Sequence, residues 1–145
     1  MTPNEFRDLV YKTFLASWDE EVSIFTLDNE KFTPPDDAPN VARPLKNRRW
    51  VRLCVRHGDS RQKTLGPVGA RKFEHQARVI LQIFISANSG TSDADYLNQV
   101  FKEIFDTDLG RGDVFGGESS YRERGTADGW YMAESSVTYT YDEIR

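Results

Sequence analysis

The alternation of apolar and polar positions divides this chain into two helical and five extended segments. Phe6, Leu9, Val10, Phe14 and Trp18 recur at helical spacing and predict one apolar stripe. Ahead of them Thr2 suits a helix cap, Pro3 suits the first helical position, and Glu5 stands three residues after Thr2 to complete a capping box. A short β-prone run, Val22 to Leu27, follows and ends at Asp28-Asn29. Arg49 to His57 reads as a strand, because Val51, Leu53 and Val55 alternate with Arg52, Cys54 and Arg56. Phe73 to Ser86 reads as a longer strand with Val79, Leu81, Ile83 and Ile85 on one face. Ile80 and Phe84 are apolar on its other face, which predicts a central strand covered at least partly on both sides.

Asn88-Ser89-Gly90 breaks that strand, and Thr91 or Ser92 caps a second helix that ends near Gly110. Asp93 and Asp95 favour the positive end of its dipole, and Ala94, Leu97, Val100, Phe101, Ile104 and Phe105 form its stripe. Two strands close the chain, Asp113 to Arg122 and Trp130 to Tyr141; in the last, Tyr131, Ala133, Val137, Tyr139 and Tyr141 share a face. The predicted order is α-β-β-β-α-β-β. Short links favour a mostly antiparallel sheet packed by two helices, an α+β fold in a single domain over 1–145. One long connection interrupts it. Residues 28–49 hold four of the six prolines and few apolar residues, a length that inside a compact domain is usually functional or partly disordered. It is expected to be a surface loop or an arm that reaches an adjacent subunit or the next component of an assembly.

Composition removes several function classes. Lys and Arg total 19 against 23 Asp and Glu, a formal charge of -4, which speaks against a nucleic-acid binder held by phosphate neutralisation. The single cysteine, Cys54, excludes an intramolecular disulfide and a multi-cysteine zinc site, and two histidines offer little for a metal centre. No metal or cofactor is expected. No apolar run approaches the ~20 residues that span a bilayer, and MTPNEFRDLV lacks the pattern of a secretory signal, so an intracellular product without a membrane partner is expected.

Residues 57–66, HGDSRQKTLG, carry the sharpest catalytic candidate. Gly58-Asp59-Ser60 spells the nucleophile tripeptide of one class of serine esterases. Those enzymes also need an Asp-x-x-His pair near the carboxyl end, and no histidine follows His75 here. The turn preferences of Gly, Asp and Ser explain the same letters, so Gly58-Asp59 is expected to turn one strand into the next, with Arg61 and Lys63 at the hairpin tip. No catalytic residue is assigned. Arg111-Gly112-Asp113 reads as a turn leading into a strand, and no phosphate-binding glycine loop appears. The cations Lys46, Arg48, Arg49, Arg52 and Arg56 are either a solvated strand face or a subunit interface, where arginine is enriched and bonds carboxylates.

Several short motifs follow one another along the chain: Asn29-Glu30-Lys31-Phe32-Thr33-Pro34-Pro35, Trp50-Val51-Arg52-Leu53, a Gly-Asp-containing turn running to Leu65-Gly66, the Val79–Ile85 strand, a Gly90 turn, a helix ending in Ile104-Phe105, and Gly129-Trp130-Tyr131 leading to Tyr139-Thr140-Tyr141-Asp142-Glu143. In these the chain resembles the phage tail terminator, or tail completion, proteins of long-tailed phages. Order and spacing, more than any single motif, carry it across nearly the whole chain. The resemblance implies a non-enzymatic virion protein at the head-proximal end of the tail, assembled in the host cytoplasm as a ring, typically of six copies. Such a ring stops tail-tube polymerisation and offers the surface for head or neck joining. Its implied partners are further copies of itself, the tail tube protein and a neck or head-completion protein, with DNA passing through the channel without specific binding. At -4 per copy, six copies carry -24, a sign that suits a channel through which DNA must slide. Segments 28–49 and 110–129 look long for that family, so their contacts do not transfer. Arg48, Arg49, Arg52, Arg56, Arg61 and Lys63 are the candidate assembly residues. The alternatives are a head–tail stopper protein or the small Gly-Asp-Ser esterase.

Overall fold

The capping signals at the amino terminus act as their spacing predicts. In a computed structural model describing residues 1–19, 22–32, 49–87, 90–105 and 109–145, helix α1 spans Pro3–Ser17 with Thr2 as its cap. Thr2 Oγ1 accepts from the Glu5 amide at 3.2 Å, and the Glu5 carboxylate accepts from the Thr2 amide at 2.7 Å. These bonds satisfy two amides that the first turn leaves unpaired. Phe6, Val10 and Phe14 of α1 are buried, as are Ala94, Leu97, Phe101 and Phe105 of α2 (Ser92–Phe105).

The strands are β1 (Ile24–Leu27), β2 (Arg49–Gln62), β3 (Lys72–Ser86), β4 (Val114–Ala127) and β5 (Trp130–Ile144), so the order is α-β-β-β-α-β-β and the fold is α+β. They form one sheet in the order β1-β2-β3-β5-β4. Strands β2, β3, β5 and β4 pair antiparallel, whereas β1 pairs parallel with β2 through Ile24 opposite Trp50 to Leu27 opposite Leu53. A parallel pair needs a crossover back to the same end of the sheet, a constraint that local pattern does not carry. Most of the 28–49 connection that makes this return, residues 33–48, lies outside the described residues.

Both helices pack on one face of the sheet. Their apolar residues meet Val51, Leu53 and Val55 of β2, Val79, Leu81, Ile83 and Ile85 of β3, and Ala133, Val137, Tyr139 and Tyr141 of β5 in one core. The opposite face has no helix among the described residues. The buried cluster there is aromatic: Trp50, Phe84 and Trp130, with Ile24, Phe32 and Met132 against them. The expectation of a central β3 holds, and Phe84 is buried on the second face by aromatics, not by a helix.

The largest local correction concerns Gly58-Asp59. These residues do not turn the chain; they lie inside β2, which runs five residues past the expected end at His57. His57 pairs with Ala77 and Ser60 with His75, so Gly58 and Asp59 together oppose Gln76 in a β-bulge. The hairpin turn lies further on, where the Lys63 amide donates to the Lys72 carbonyl at 2.7 Å. The bulge also changes side-chain parity, since Arg61 pairs with Glu74 and so shares the helix-free face with Arg52 and Arg56.

Bulges recur on β4, between Gly116 and Ser119 and between Glu123 and Gly125. β1 covers only the start of β2, leaving residues 54–62 as one sheet edge and β4 as the other. Bulges and charged residues such as Arg122, Glu123 and Arg124 on these edges oppose strand addition.

Candidate functional site

The predicted assembly cations do not form a single patch. Arg49 has the parity of Val51, not of Arg52, and points to the helix side, where it is 3% exposed. Its Nε donates to the Val22 carbonyl at 2.8 Å and its Nη1 to Asp93 Oδ1 at 3.3 Å, tying the approach to β1 and the start of α2 to β2. The guanidinium also lies over the Tyr96 ring at 5.1 Å. Arg49 is therefore an internal tie, a correction to its place among outward-facing contacts; Arg48 lies outside the described residues.

Arg52 and Arg56 do lie on the helix-free face. The Arg52 guanidinium sits 5.6 Å over the Trp50 ring. Arg56 donates to the Asp28 carboxylate, and that hydrogen bond, with the Arg56 charge, holds the Asp28 carboxyl below its ordinary range. Arg78 lies directly across from Arg56, and like charges in that position are destabilising unless another group neutralises them. Arg78 has no hydrogen bond or ion pair among the described residues. Beneath them, burial pushes the Cys54 thiol up, so it stays protonated at neutral pH.

Arg61 and Lys63 are not at the hairpin tip. Arg61 lies in the paired strand 3.1 Å from Glu74, and Lys63 lies 2.5 Å from Glu74 and 3.5 Å from Asp142. Lys72 reaches Asp142 at 3.1 Å. Three cations and two carboxylates thus form a surface network across β2, β3 and β5, and the hydrogen bond from Lys63 holds the Glu74 carboxyl low. The tip beyond it is apolar. Leu65 is 95% and Val68 85% exposed, flanked by Gly66, Pro67 and Gly69. Bonds from the Lys72 amide to Thr64 Oγ1 at 2.8 Å and from the Ala70 amide to the Pro67 carbonyl at 3.1 Å give the tip a defined shape.

The other feature that the strand pattern missed lies at the far end of the sheet. Trp50 and Phe84 stack with centroids 3.9 Å apart, and Trp130 meets Trp50 edge-on at 6.2 Å. With Arg52, Gln82, Ala127, Asp128 and Met132 they line an open groove of about 490 Å³. Three aromatics at positions facing away from the main core, of which the strand pattern singled out Phe84 alone, are the signal that would have found it.

The esterase arrangement gains one element and lacks another. Pairing brings His75 opposite Ser60, and His75 Nε2 lies 2.6 Å from Glu143 Oε2. Yet His75 is buried and stacked on Tyr141 with centroids 5.1 Å apart, while Ser60 is exposed on the bulged strand. Among the described residues no hydrogen bond joins Ser60 to His57 or His75. Arg111 and Asp113 pair with each other at 3.1 and 3.2 Å in a turn before β4, as the turn reading expects. No described group of His, Cys, Asp and Glu has metal-binding geometry, and no helix of the described residues is long and apolar enough to cross a membrane.

No protein-family model and no curated protein matches the chain. A solved protein structure 14% identical in sequence covers 96% of this chain and 97% of its own length, with a TM-score of 0.61. At that identity the likeness concerns the fold alone.

Proposed function

We propose that this chain is a ring-forming tail terminator, which caps the head-proximal end of a phage tail tube, stops its growth and offers the surface for head or neck joining. The observation that carries the reading is the one-sided sheet. Two helices cover one face, while the other holds an open aromatic groove and the opposed pair Arg56 and Arg78. A face of this kind suits burial against a different patch on a neighbouring copy, the heterologous contact from which rings are built. The order of motifs from Asn29 to Glu143 supplies the link to tail terminators, and the net charge of -4 suits a DNA channel.

The test adds purified protein to purified tail tubes and follows their length by negative-stain microscopy, with light scattering for the free state. Capped tubes that no longer elongate, and rings of several subunits at their ends, are expected. Tails of normal length beside unjoined heads, when the protein is missing from an infection, would identify a stopper instead. A persistent monomer that caps no tube and hydrolyses an activated ester through Ser60 would overturn the structural role.

A further inference from the structure

The exposed hairpin tip and the aromatic groove are two halves of one contact. β2 alone is fourteen residues long, and at about 3.3 Å per residue its two ends lie roughly 45 Å apart. The groove is at one end, around Trp50, and the tip lies beyond the other, at Leu65 and Val68. They cannot meet within a molecule. We propose that the tip of one copy, Leu65-Gly66-Pro67-Val68, inserts into the Trp50–Phe84–Trp130 groove of a second copy, and that this is the repeating contact of the assembly.

Three observations select a second copy as the occupant. First, tip and groove are complementary in character: two apolar side chains almost wholly in water, on a turn braced by its own hydrogen bonds, and a groove of about 490 Å³, open among the described residues, with an aromatic floor and a polar rim of Arg52, Gln82 and Asp128. A braced turn enters a groove with little further ordering cost. Second, the charges match. Arg71 at the base of the tip shares the Phe73 ring with Arg145 and has no carboxylate, its Nε without a hydrogen-bond partner, and Asp128 on the groove rim has no ion pair, all among the described residues. Insertion would give each a partner. Third, the bulged and charged sheet edges oppose assembly by strand addition, which leaves faces and loops for the contact. Because tip and groove are different patches at opposite ends, the contact is head-to-tail and propagates from copy to copy, closing into a ring if the rotation permits.

The inference rests on the ring reading only in requiring several copies, and mixing two variants tests it separately. Leu65→Asp places a charge on the tip and leaves the groove intact; Met132→Arg obstructs the groove and leaves the tip intact. Both positions lie outside the helix-side core, and circular dichroism checks that each variant folds. Each alone is expected to lose self-association on the order of a hundredfold. Mixed in equal amounts, they retain one intact tip and one intact groove between them, so a one-to-one pair should form and grow no further. A same-patch contact could not give that result. As a second readout, Leu65→Cys with Ala127→Cys on one chain should give a disulfide-linked ladder under oxidation, where either cysteine alone stops at a dimer. The absence of both the mixed pair and the ladder would overturn the proposal. If the wild-type protein still capped tubes, the terminator reading would survive without it; a mixed pair from a protein that caps no tube would leave this contact standing and remove that role.

Discussion

Tyr139 and Tyr141 lie two positions apart on β5, face the same core, and are both almost wholly buried, yet their hydroxyls differ. Tyr139 donates to the carbonyl of Phe105, the last residue of α2, and so satisfies a group that the helix end leaves open. The Tyr141 hydroxyl has no hydrogen-bond partner among the described residues. Removing a paired buried hydroxyl strands its acceptor, whereas removing an unpaired one relieves a desolvated group. Tyr139→Phe should therefore cost about 1–2 kcal/mol in urea denaturation, and Tyr141→Phe should leave stability unchanged or slightly higher. The two also separate by pH. Burial foremost, with Glu143 adding to it, raises the Tyr141 phenol from 10.0 to about 12. The folded protein then holds that proton while the unfolded chain loses it. Stability is full below pH 10 and falls as pH climbs toward 12, and the fall should be shallower in Tyr141→Phe. The burial of both tyrosines was legible from β5 parity. Which hydroxyl is paired was not, because the partner lies thirty-four residues away on a helix end.

At the scale of elements, the bulges decide where side chains point. Gly116 pairs with Tyr139 and Ser119 with Val137, so Gly117 and Glu118 oppose Thr138 alone. A β-carbon on Gly117 would come 2.8 Å from the Thr138 carbonyl oxygen, a backbone atom that cannot swing aside. Gly117→Ala should destabilise by about 1–3 kcal/mol. Gly112, in the turn before β4, has open space where a β-carbon would stand, and Gly112→Ala should stay within about 0.5 kcal/mol. Thermal denaturation of the pair checks both. The bulge at Gly58-Asp59 explains why the reading of HGDSRQKTLG as a turn was half right. Glycine and aspartate do interrupt a regular ladder, but pattern alone does not separate a bulge from a turn. The separation comes from whether β3 continues to pair beyond it, as Arg61 with Glu74 shows.

For the molecule as a whole, β3 is the centre. It pairs with β2 and β5 along nearly its full length, and its Val79, Leu81, Ile83 and Ile85 are wholly buried. Amides of residues 79–85 should exchange most slowly, close to the rate set by global unfolding. Those of β4 and of the hairpin tip should exchange orders of magnitude faster, because β4 has a neighbour on one side only and the tip has no core contact. Hydrogen exchange read by mass spectrometry or NMR measures this directly. Protection of tip amides that rises with protein concentration would mark their burial between copies.

The sequence alone determined the number, type and order of the elements, the capped first helix, and the set of side chains that build the main core. These follow from local periodicity and terminus chemistry, which act over a few residues. Only the tertiary structure decided that β1 runs parallel to β2, that both helices share one face, and that Arg49 turns inward while Arg52 and Arg56 stay out. It also decided that an aromatic groove and an apolar tip stand at opposite ends of the sheet. Each of these is a relation between residues distant along the chain, set by strand pairing and packing, to which a local pattern is blind.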